Sequence, residues 1–200
     1  MIIDEPDGAT PLDPDDMEGL KHAHVTTRDQ LNELEQANIL AGQMWASYRT
    51  DLTLDSIFST DFVLDLHQNL FGEVWKWAGN IRTRELSIGC DPLQVRVNLG
   101  NFLEDAKLWI QYEHYSNLEL CARIQHRLVW IHPFPNGNGR HSRIFTDVVR
   151  IFLLEESPLI WAKGDLANIS DERSAYISCL KEADKGDFAP FVEYLESIGN

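Results

Sequence analysis

Apolar residues recur every three or four positions along most of the chain, which is the spacing of amphipathic helices. The predicted helices cover residues 28–48, 55–78, 99–114, 117–131, 139–154, 171–184 and 187–197. Residues 139–154 differ from the other segments because they leave almost no polar face. A helix that is apolar all round belongs in a core, so we expect this helix to be central.

One stretch, residues 84–97, shows a period of two instead. Leu86 and Ile88 alternate with polar residues, and residues 93–97 repeat the alternation after a Gly-Cys-Asp-Pro turn. Alternation on both sides of a four-residue turn predicts a β-hairpin. Because two strands alone are marginal in water, the hairpin must pack on the helices as a flap. The predicted fold is therefore all-α, a helical bundle with one β-hairpin flap.

The N-terminal end has a different composition. Residues 1–20 hold seven acidic residues and three prolines, and no basic residue precedes Lys21. This composition predicts a solvated arm, with a strap docked across the domain as the alternative. We therefore divide the chain into an acidic arm (1–20), a helical region (21–54) and a main domain (55–197).

Charge and cysteine content narrow the class of protein. A net charge of −15 argues against a nucleic-acid partner, although eight of the eleven arginines lie between Arg82 and Arg150 and could form a local phosphate pocket. The three cysteines form no CxxC pair, which favours a reducing cytoplasm. No apolar run reaches the length of a membrane span, and no signal peptide is recognisable. We expect a cytoplasmic protein without a membrane partner.

The candidate chemistry is concentrated in residues 131–143. Pro133 should end the preceding helix at His132, because a residue before proline disfavours the helical region. Gly137 and Gly139 permit unusual backbone angles and let a ligand approach the backbone closely. The next helix begins at once, so its first N–H groups, which lack partners within the helix, face this loop.

These features together describe an anion site. A helix N-terminus carries about half a positive charge, and Arg140 and Arg143 lie on one side of the first turns. Guanidinium groups and backbone donors suit phosphate oxygens. His132, at the mouth of the loop, has the pKa range of a general base. The loop therefore predicts phosphate chemistry with a histidine base.

Each residue also has an ordinary structural interpretation. His132 could cap the preceding helix, residues 136–139 could form a simple turn, and Arg143 could be an ion-pair partner. A zinc site is disfavoured because His126, His132 and His141 lack the spacing of a ligand set. No Lys-Ser/Thr follows the last glycine, so the loop is not a P-loop. The combination in one loop favours the functional interpretation.

Residues 132–140, His-Pro-Phe-Pro-Asn-Gly-Asn-Gly-Arg, resemble the Fic-domain motif H-x-F-x-[D/E]-G-N-[G/K]-R at eight of nine positions. Arg143 matches the second arginine of many Fic proteins. Further segments that resemble Fic elements are residues 70–82, 126–131 and 184–190. The resemblance covers about residues 55–195, and the whole chain is similar to the Fic subgroup called mobile mystery protein B.

The resemblance implies a protein adenylyltransferase. Such an enzyme moves AMP from ATP to a Ser, Thr or Tyr hydroxyl of a target protein, and His132 would take the hydroxyl proton. Phe134 would be a buried anchor that orients the loop. The residues that would contact the nucleotide phosphates are Gly137, Asn138, Gly139, Arg140 and Arg143. The target would add a strand to the hairpin at 84–97.

The sequence departs from the motif at Asn136, where Fic proteins usually carry Asp or Glu. That carboxylate holds the Mg²⁺ that bridges the phosphates, and a neutral amide is a weaker ligand for a hard cation. Three alternatives stay open: AMP transfer with weaker Mg²⁺ binding, a changed reaction such as phosphotransfer or AMP removal, or a non-catalytic binder. Gly139 favours AMP transfer, because the phosphate-transferring Doc relatives carry lysine there.

Many Fic proteins also carry an inhibitory helix with the motif [S/T]-x-x-x-E-[G/N], whose glutamate pairs with the second arginine. The helix at 28–48 has a suitable place in the chain. Its motif is poor, because Leu31 stands four residues before Glu35 and Gln36 follows it. The hypothesis is a regulatory Glu35–Arg143 clamp, and the alternative is a solvated helix face.

The predicted partners are thus a nucleotide, ATP by resemblance, and a protein target. The nucleotide base should lie near Tyr176, on the helix predicted at 171–184. The pattern carries no signal for the oligomeric state.

Overall fold

The computed structural model describes residues 17, 19–161 and 171–199. Its helices are α1 (Arg28–Ser47), α2 (Leu54–Ile57), α3 (Thr60–Phe71), α4 (Val95–Gln111), α5 (Asn117–Ile131), α6 (Asn138–Leu153), α7 (Asp171–Ala183) and α8 (Ala189–Ile198), with a 3₁₀ turn at Pro92–Gln94. The predicted all-α class is confirmed. Most of the predicted acidic arm lies outside the described residues, and the domain bounds stay a prediction.

The single helix predicted over residues 55–78 is divided in the structure. Phe58 leaves the helical region with ψ 48°, and Ser59 starts α3 by accepting a hydrogen bond from the Phe62 N–H at 3.1 Å. Helix α3 then ends at Phe71, so Trp75 follows it in a turn. Trp75 is therefore not on a helix, and its side chain faces α1, where it contacts Glu35.

The hairpin predicted over residues 84–97 is wrong. Asp91 accepts a hydrogen bond from the Leu93 N–H at 2.8 Å, and Pro92 occupies the first position of the 3₁₀ turn, where a missing N–H costs nothing. Of the alternating residues after the turn, Val95 is buried and continues at helical spacing with the buried Leu99 and Phe102, whereas Leu93 and Val97 are exposed. Residues 83–91 remain as an irregular segment, which we call the flap segment.

Helix α6 is central, as its apolar pattern predicts. It contacts α1, α2, α3 and α5, and Phe145 and Val149 are completely buried within these contacts. Burial on all sides fixes the N-terminus of α6 against its neighbours. The loop that precedes this terminus is therefore supported by the core.

Helix α1 packs along α3. Its Asn38 donates to the Asn69 carbonyl at 2.9 Å and accepts from the Glu73 N–H at 2.9 Å. At Gly42 the two helices are so close that an added Cβ would lie 2.7 Å from the Asn69 oxygen. A capping box formed by Thr27 and Gln30 starts α1. This docking sets which face of α1 points at the loop before α6.

The residues before α1 pair with the turn that carries Trp75. The Lys21 N–H donates to the Val74 carbonyl at 2.9 Å, and the Lys76 N–H donates to the Gly19 carbonyl at 2.8 Å. Leu20 and Trp75 face each other in this antiparallel bridge. Residues 19–21 are therefore docked on the domain, and the choice between a solvated arm and a strap for residues 1–20 stays open.

A second, smaller core joins α5 to α7 and α8. Its buried members are Cys121, Ala122, Leu159, Cys179, Ala183, Phe191 and Leu195. The three cysteines are free thiols, as their spacing predicts. Within the part of the chain that the structure describes, no helix combines the length and the apolar character needed to cross a membrane.

Candidate active site

The loop between α5 and α6 is held from inside by Phe134 and Asn138. Phe134 is completely buried and stacks on the His67 ring, with 3.6 Å between the ring centroids. The Asn138 side chain accepts from the Phe134 N–H at 2.9 Å and donates to the Phe134 carbonyl at 2.8 Å. Both ends of this amide are therefore engaged within the loop, so Asn138 shapes the loop from beneath.

His67 supports the same loop from α3. Its Nδ1 accepts the Gly79 N–H at 2.9 Å, so the ring proton is on Nε2, which donates to the Asn136 carbonyl at 3.1 Å. Complete burial holds the pKa of His67 well below its ordinary value, and the ring stays neutral. A neutral ring with one fixed tautomer fits both partners and holds the apex of the loop.

Gly137 is the N-cap of α6, with φ 78° and ψ 1°. No acidic residue lies in the first turn of α6, so its own sequence leaves the positive end of the helix uncompensated. The N–H groups of residues 138–140 have no carbonyl one turn earlier within the helix. This end of α6 has the free charge and donors of the anion cradle that the sequence predicts, and its binding of an anion stays a prediction.

Two glycines in this cradle have different structural needs. A Cβ at Gly137 would lie 2.7 Å from the Phe71 ring, and its φ is positive, whereas a Cβ at Gly139 would meet nothing within 4 Å. We expect Gly137→Ala to destabilise the protein by about 2 kcal/mol or more, because the left-handed strain alone costs roughly 1–2 kcal/mol. Gly139→Ala should be neutral or stabilising by up to about 1 kcal/mol. Urea unfolding of both variants measures the difference, and equal stabilities would contradict this account.

His132 ends α5 in the left-handed conformation, with φ 53° and ψ 62°. Its Nδ1 lies 3.0 Å from the Val129 carbonyl, which can only accept, so Nδ1 carries the proton and Nε2 carries the lone pair. Burial, helped by the positive charge of Arg82, lowers the pKa of His132 to about 4. The ring therefore caps α5 through one nitrogen and presents a neutral base through the other.

Arg140, in the first turn of α6, pairs with Glu35 of α1. Its Nη1 lies 2.6 Å from the Glu35 Oε2, and its guanidinium lies over the Phe71 ring. The other carboxylate oxygen of Glu35 accepts from the Trp75 indole N–H at 2.7 Å. Glu35 is buried, with 8% of its side chain exposed, so the alternative of a solvated helix face is wrong.

The predicted partner of Glu35, Arg143, is not the one found. Arg143 donates through Nε to the Gly139 carbonyl at 3.0 Å, and its guanidinium faces the Tyr176 ring at 6.0 Å. Burial lowers the pKa of Arg143 and raises the pKa of Tyr176 to about 12. Arg143 is turned towards α7, which leaves Arg140 as the arginine within reach of α1.

Asn136 does not fit the role of a Mg²⁺ ligand in this geometry. Its side-chain oxygen accepts from the Gly137 N–H at 2.6 Å and lies 3.5 Å from the Arg140 Nη2. An oxygen directed at two donors is poorly placed for a cation. Among the described residues there is also no cluster of three or more side chains of the kinds that bind metals.

Sequence reasoning assigned no function to three side chains around the loop. His67 contacts the loop from α3, Trp75 donates to Glu35, the partner of Arg140, and Arg82 is buried beside His132. The available signal was weak: a histidine on an apolar helix face, and an arginine directly after an apolar stretch. Each acts through contacts more than thirty residues away along the chain, which periodicity does not report.

Comparison with known proteins places this geometry in a family. Residues 57–149 match the family model described as the Fic/DOC family. A curated relative, the protein adenylyltransferase Fic of Drosophila virilis, is 30% identical over 137 residues, which cover 66% of this chain and 27% of the relative. The relative of the same name in Drosophila melanogaster is 28% identical over 173 residues, covering 84% of this chain and 32% of its own length. The chain thus spans about a quarter to a third of these relatives.

Solved structures agree in fold. Fic-1 from C. elegans superposes with a TM-score of 0.64 at 24% identity, covering 83% of this chain and 49% of that one. BepC from Bartonella tribocorum, solved with bound AMPPNP, superposes with a TM-score of 0.65 at 18% identity, covering 87% of this chain and 88% of that one. None of these proteins carries the subgroup name, so the assignment to mobile mystery protein B stays a prediction. Motif, fold and family match agree, and the chain belongs to the Fic/DOC family through the domain that contains residues 57–149.

Proposed function

We propose that this chain is a protein adenylyltransferase that moves AMP from ATP to a hydroxyl group of a target protein. The observation that carries the proposal is the tautomer of His132, whose Nδ1–H is held by the Val129 carbonyl so that the lone pair is on Nε2. This base stands directly before an anion cradle at the start of α6. The relatives named protein adenylyltransferase support the same activity.

In the proposed reaction the target hydroxyl oxygen attacks the α-phosphorus of ATP. A P–O bond forms to the target, the bond from the α-phosphorus to the bridging oxygen of the β-phosphate breaks, and pyrophosphate leaves. The hydroxyl proton passes to Nε2 of His132, while Nδ1–H stays on its carbonyl partner. The negative charge of the triphosphate raises the pKa of the imidazole from its low value in the free protein, which makes the ring a stronger base when the substrate is present.

The phosphates are assigned to the cradle. Backbone N–H groups of residues 138–140 would bind the α-phosphate oxygens as negative charge develops, and Arg140 would bind the β- and γ-phosphates. Arg143, turned towards Tyr176, would reach the γ-phosphate only after its side chain rotates. Two solved structures of the same fold hold nucleotides, AMPPNP in BepC and ADP in a Bartonella quintana protein, which supports nucleotide binding by this chain. No step passes through a metal, because Asn136 does not fit as its ligand.

The target is assigned to the flap segment. A Cβ added at Gly89 would lie 2.5 Å from the His132 Cβ, so this segment lies against the base. A target peptide that runs along the flap segment would bring its hydroxyl near Nε2. We place the reaction in a reducing cytoplasm, which the three free thiols support.

Glu35 would then restrain the enzyme. Its Oε2 lies 2.6 Å from Nη1 of Arg140. The carboxylate thus pairs with the guanidinium to which the β- and γ-phosphates would bind. Both oxygens of the carboxylate are engaged, one by Arg140 and one by Trp75. An ATP molecule must displace this ion pair before its phosphates can bind in the productive position.

The function is tested with ATP labelled at either the α- or the γ-phosphate. Purified wild-type protein, the Glu35→Gly variant and the His132→Ala variant are incubated with each label and a protein mixture. We expect protein-bound label from the α position only, and none with His132→Ala. Label from the γ position alone would establish phosphotransfer instead. ATP binding without any transfer by the wild-type protein or by the Glu35→Gly variant would establish a non-catalytic binder.

A further inference from the structure

Arg82 is a buried cation whose hydrogen-bond partners are backbone carbonyls. It is 4% exposed, and its guanidinium donates to the carbonyls of His132 at 2.6 Å, Arg84 at 2.8 Å, Ile131 at 3.4 Å and Cys90. Burial lowers the pKa of this arginine. A buried charge held by neutral groups is a poor device for stability. Its geometry points to a positioning role.

Two of these bonds fix the backbone that carries the base. The carbonyls of Ile131 and His132 are the last ones of α5 and its cap, and they lack partners within the helix. A positive group at a helix C-terminus is favourable. His132 is held in the left-handed region, at φ 53°, where a residue with a Cβ is strained. The bond to the His132 carbonyl restrains this backbone and so directs the imidazole.

The other two bonds fix the flap segment. The carbonyls of Arg84 and Cys90 stand near its two ends and accept from the same guanidinium. The Cys90 thiol also donates to the Ile131 carbonyl at 3.4 Å. Between these points Gly89 touches the His132 side chain. The Arg82 guanidinium therefore fixes the flap segment and the backbone of His132 relative to each other.

We propose that Arg82 is a positioning residue that sets the distance between a docked target and His132. The proposal rests on the proposed AMP transfer for its kinetic consequences, but not for its geometry. A guanidinium has fixed angles between its five N–H donors, so four acceptors bound to it have fixed relative positions. Lysine offers one mobile ammonium and would hold only part of the set. Arg82 makes none of its bonds to the cradle at residues 137–140, so nucleotide binding should not depend on it.

The test uses Arg82→Lys and Arg82→Gln in the full chain, with Arg49→Gln as a control that removes a half-buried arginine, which follows α1 and pairs with Asp51. Nucleotide affinity is measured by calorimetry with AMPPNP, and transfer is measured with α-labelled ATP in the Glu35→Gly background. We expect transfer to fall by roughly a hundredfold in both Arg82 variants, as a displacement of about 1 Å can do. AMPPNP affinity should stay within about twofold, and the control should match its parent.

A second readout needs no activity. Nitrogen NMR of the histidine rings reports which nitrogen of His132 carries the proton and at what pH the ring titrates. We expect wild-type protein to show the Nδ1–H form, and the Arg82 variants to show a mixture of tautomers. If AMP transfer is absent in every variant while the tautomer still depends on Arg82, the proposed function fails and the positioning role stands.

Two results would overturn the proposal. One is an Arg82→Lys variant that transfers AMP at the parent rate with the Nδ1–H tautomer intact. The other is a loss of AMPPNP affinity and of cooperative unfolding in proportion to the loss of transfer, which would mark Arg82 as part of the general fold. Arg82→Lys keeps the charge in place, so it provides the answer if Arg82→Gln does not fold.

Discussion

Replacing Glu35 with glycine should raise the rate of AMP transfer roughly tenfold to a hundredfold, because a charge-assisted hydrogen bond is worth about 1.5–3 kcal/mol and Arg140 would become available to the phosphates. The ion pair that is lost joins a buried carboxylate to a guanidinium at 2.6 Å. Self-modification and modification of a protein mixture, both followed with α-labelled ATP, measure the change. The AMPPNP affinity should rise in the same variant.

The control is Glu33→Gly on the same helix. Glu33 is exposed, so this variant carries the same helix-propensity penalty of about 1 kcal/mol without touching Arg140. It should leave transfer at the wild-type rate.

A third variant, Trp75→Phe, removes the indole donor to Glu35 but keeps an aromatic ring in the core. It should give a smaller increase than Glu35→Gly. An unchanged rate in Glu35→Gly would exclude the inhibitory role of this glutamate.

Acid should destabilise the protein well before its surface carboxylates are protonated. His132 and His141 are buried with pKa values lowered to about 4, and the pKa of His67 is also held well below its ordinary value. In the unfolded chain these rings bind protons near pH 6.5. Their contribution to the free energy of unfolding is therefore fully present above pH 6.5 and is lost as the pH falls towards 4. The loss is about 3 kcal/mol each for His132 and His141.

Asp147 acts in the opposite direction. Burial raises its pKa to about 6, so its protonation favours the folded state as the pH falls. This effect offsets about 3 kcal/mol of the stability that the histidines lose. Before His67 is included, the balance is a loss of about 3 kcal/mol between pH 7 and pH 4, a large share of the 5–15 kcal/mol of an ordinary domain. The free energy of unfolding in urea, measured at pH 7, 6, 5 and 4, tests this sum.

Two histidine variants identify the source of the acid effect. His141→Gln removes one buried ring and keeps a donor for the Val63 carbonyl, which lies 3.0 Å from the present ring nitrogen. Its stability should depend less on pH than that of wild-type protein. His114→Gln removes an exposed ring and should leave the pH dependence as it is. Stability that stays constant or rises from pH 7 to pH 4 would contradict the assignment.

The sequence was most informative where chemistry and backbone geometry are local. The loop at residues 132–140 combines proline, glycine and helix-start signals within nine positions, and its position between two helices could be predicted. The hairpin could not be predicted correctly, because Val95 fits both a period of two and the helical series continued by Leu99. Asp91 and Pro92 decide between the two periods by starting a helical turn.

The regulatory contact was only half predictable. Helix position suggested Glu35, but the choice between Arg140 and Arg143 depends on how α1 lies on α3, which Asn38 and the close approach at Gly42 determine. The two members of the pair are 105 residues apart in sequence. The role of Arg82 was invisible for a similar reason, since its acceptors are carbonyls and carry no sequence signature.

The acceptors of Arg82 have an evolutionary consequence. Every amino acid supplies the same backbone carbonyl. Mutations that keep the backbone conformation would therefore leave those bonds intact in most of the flap segment. Gly89 is the exception, because any side chain there would meet His132. If the proposed AMP transfer is correct, descendants of this protein could therefore exchange the side chains that meet a target, and so acquire new targets, while His132 and residues 137–140 stay unaltered.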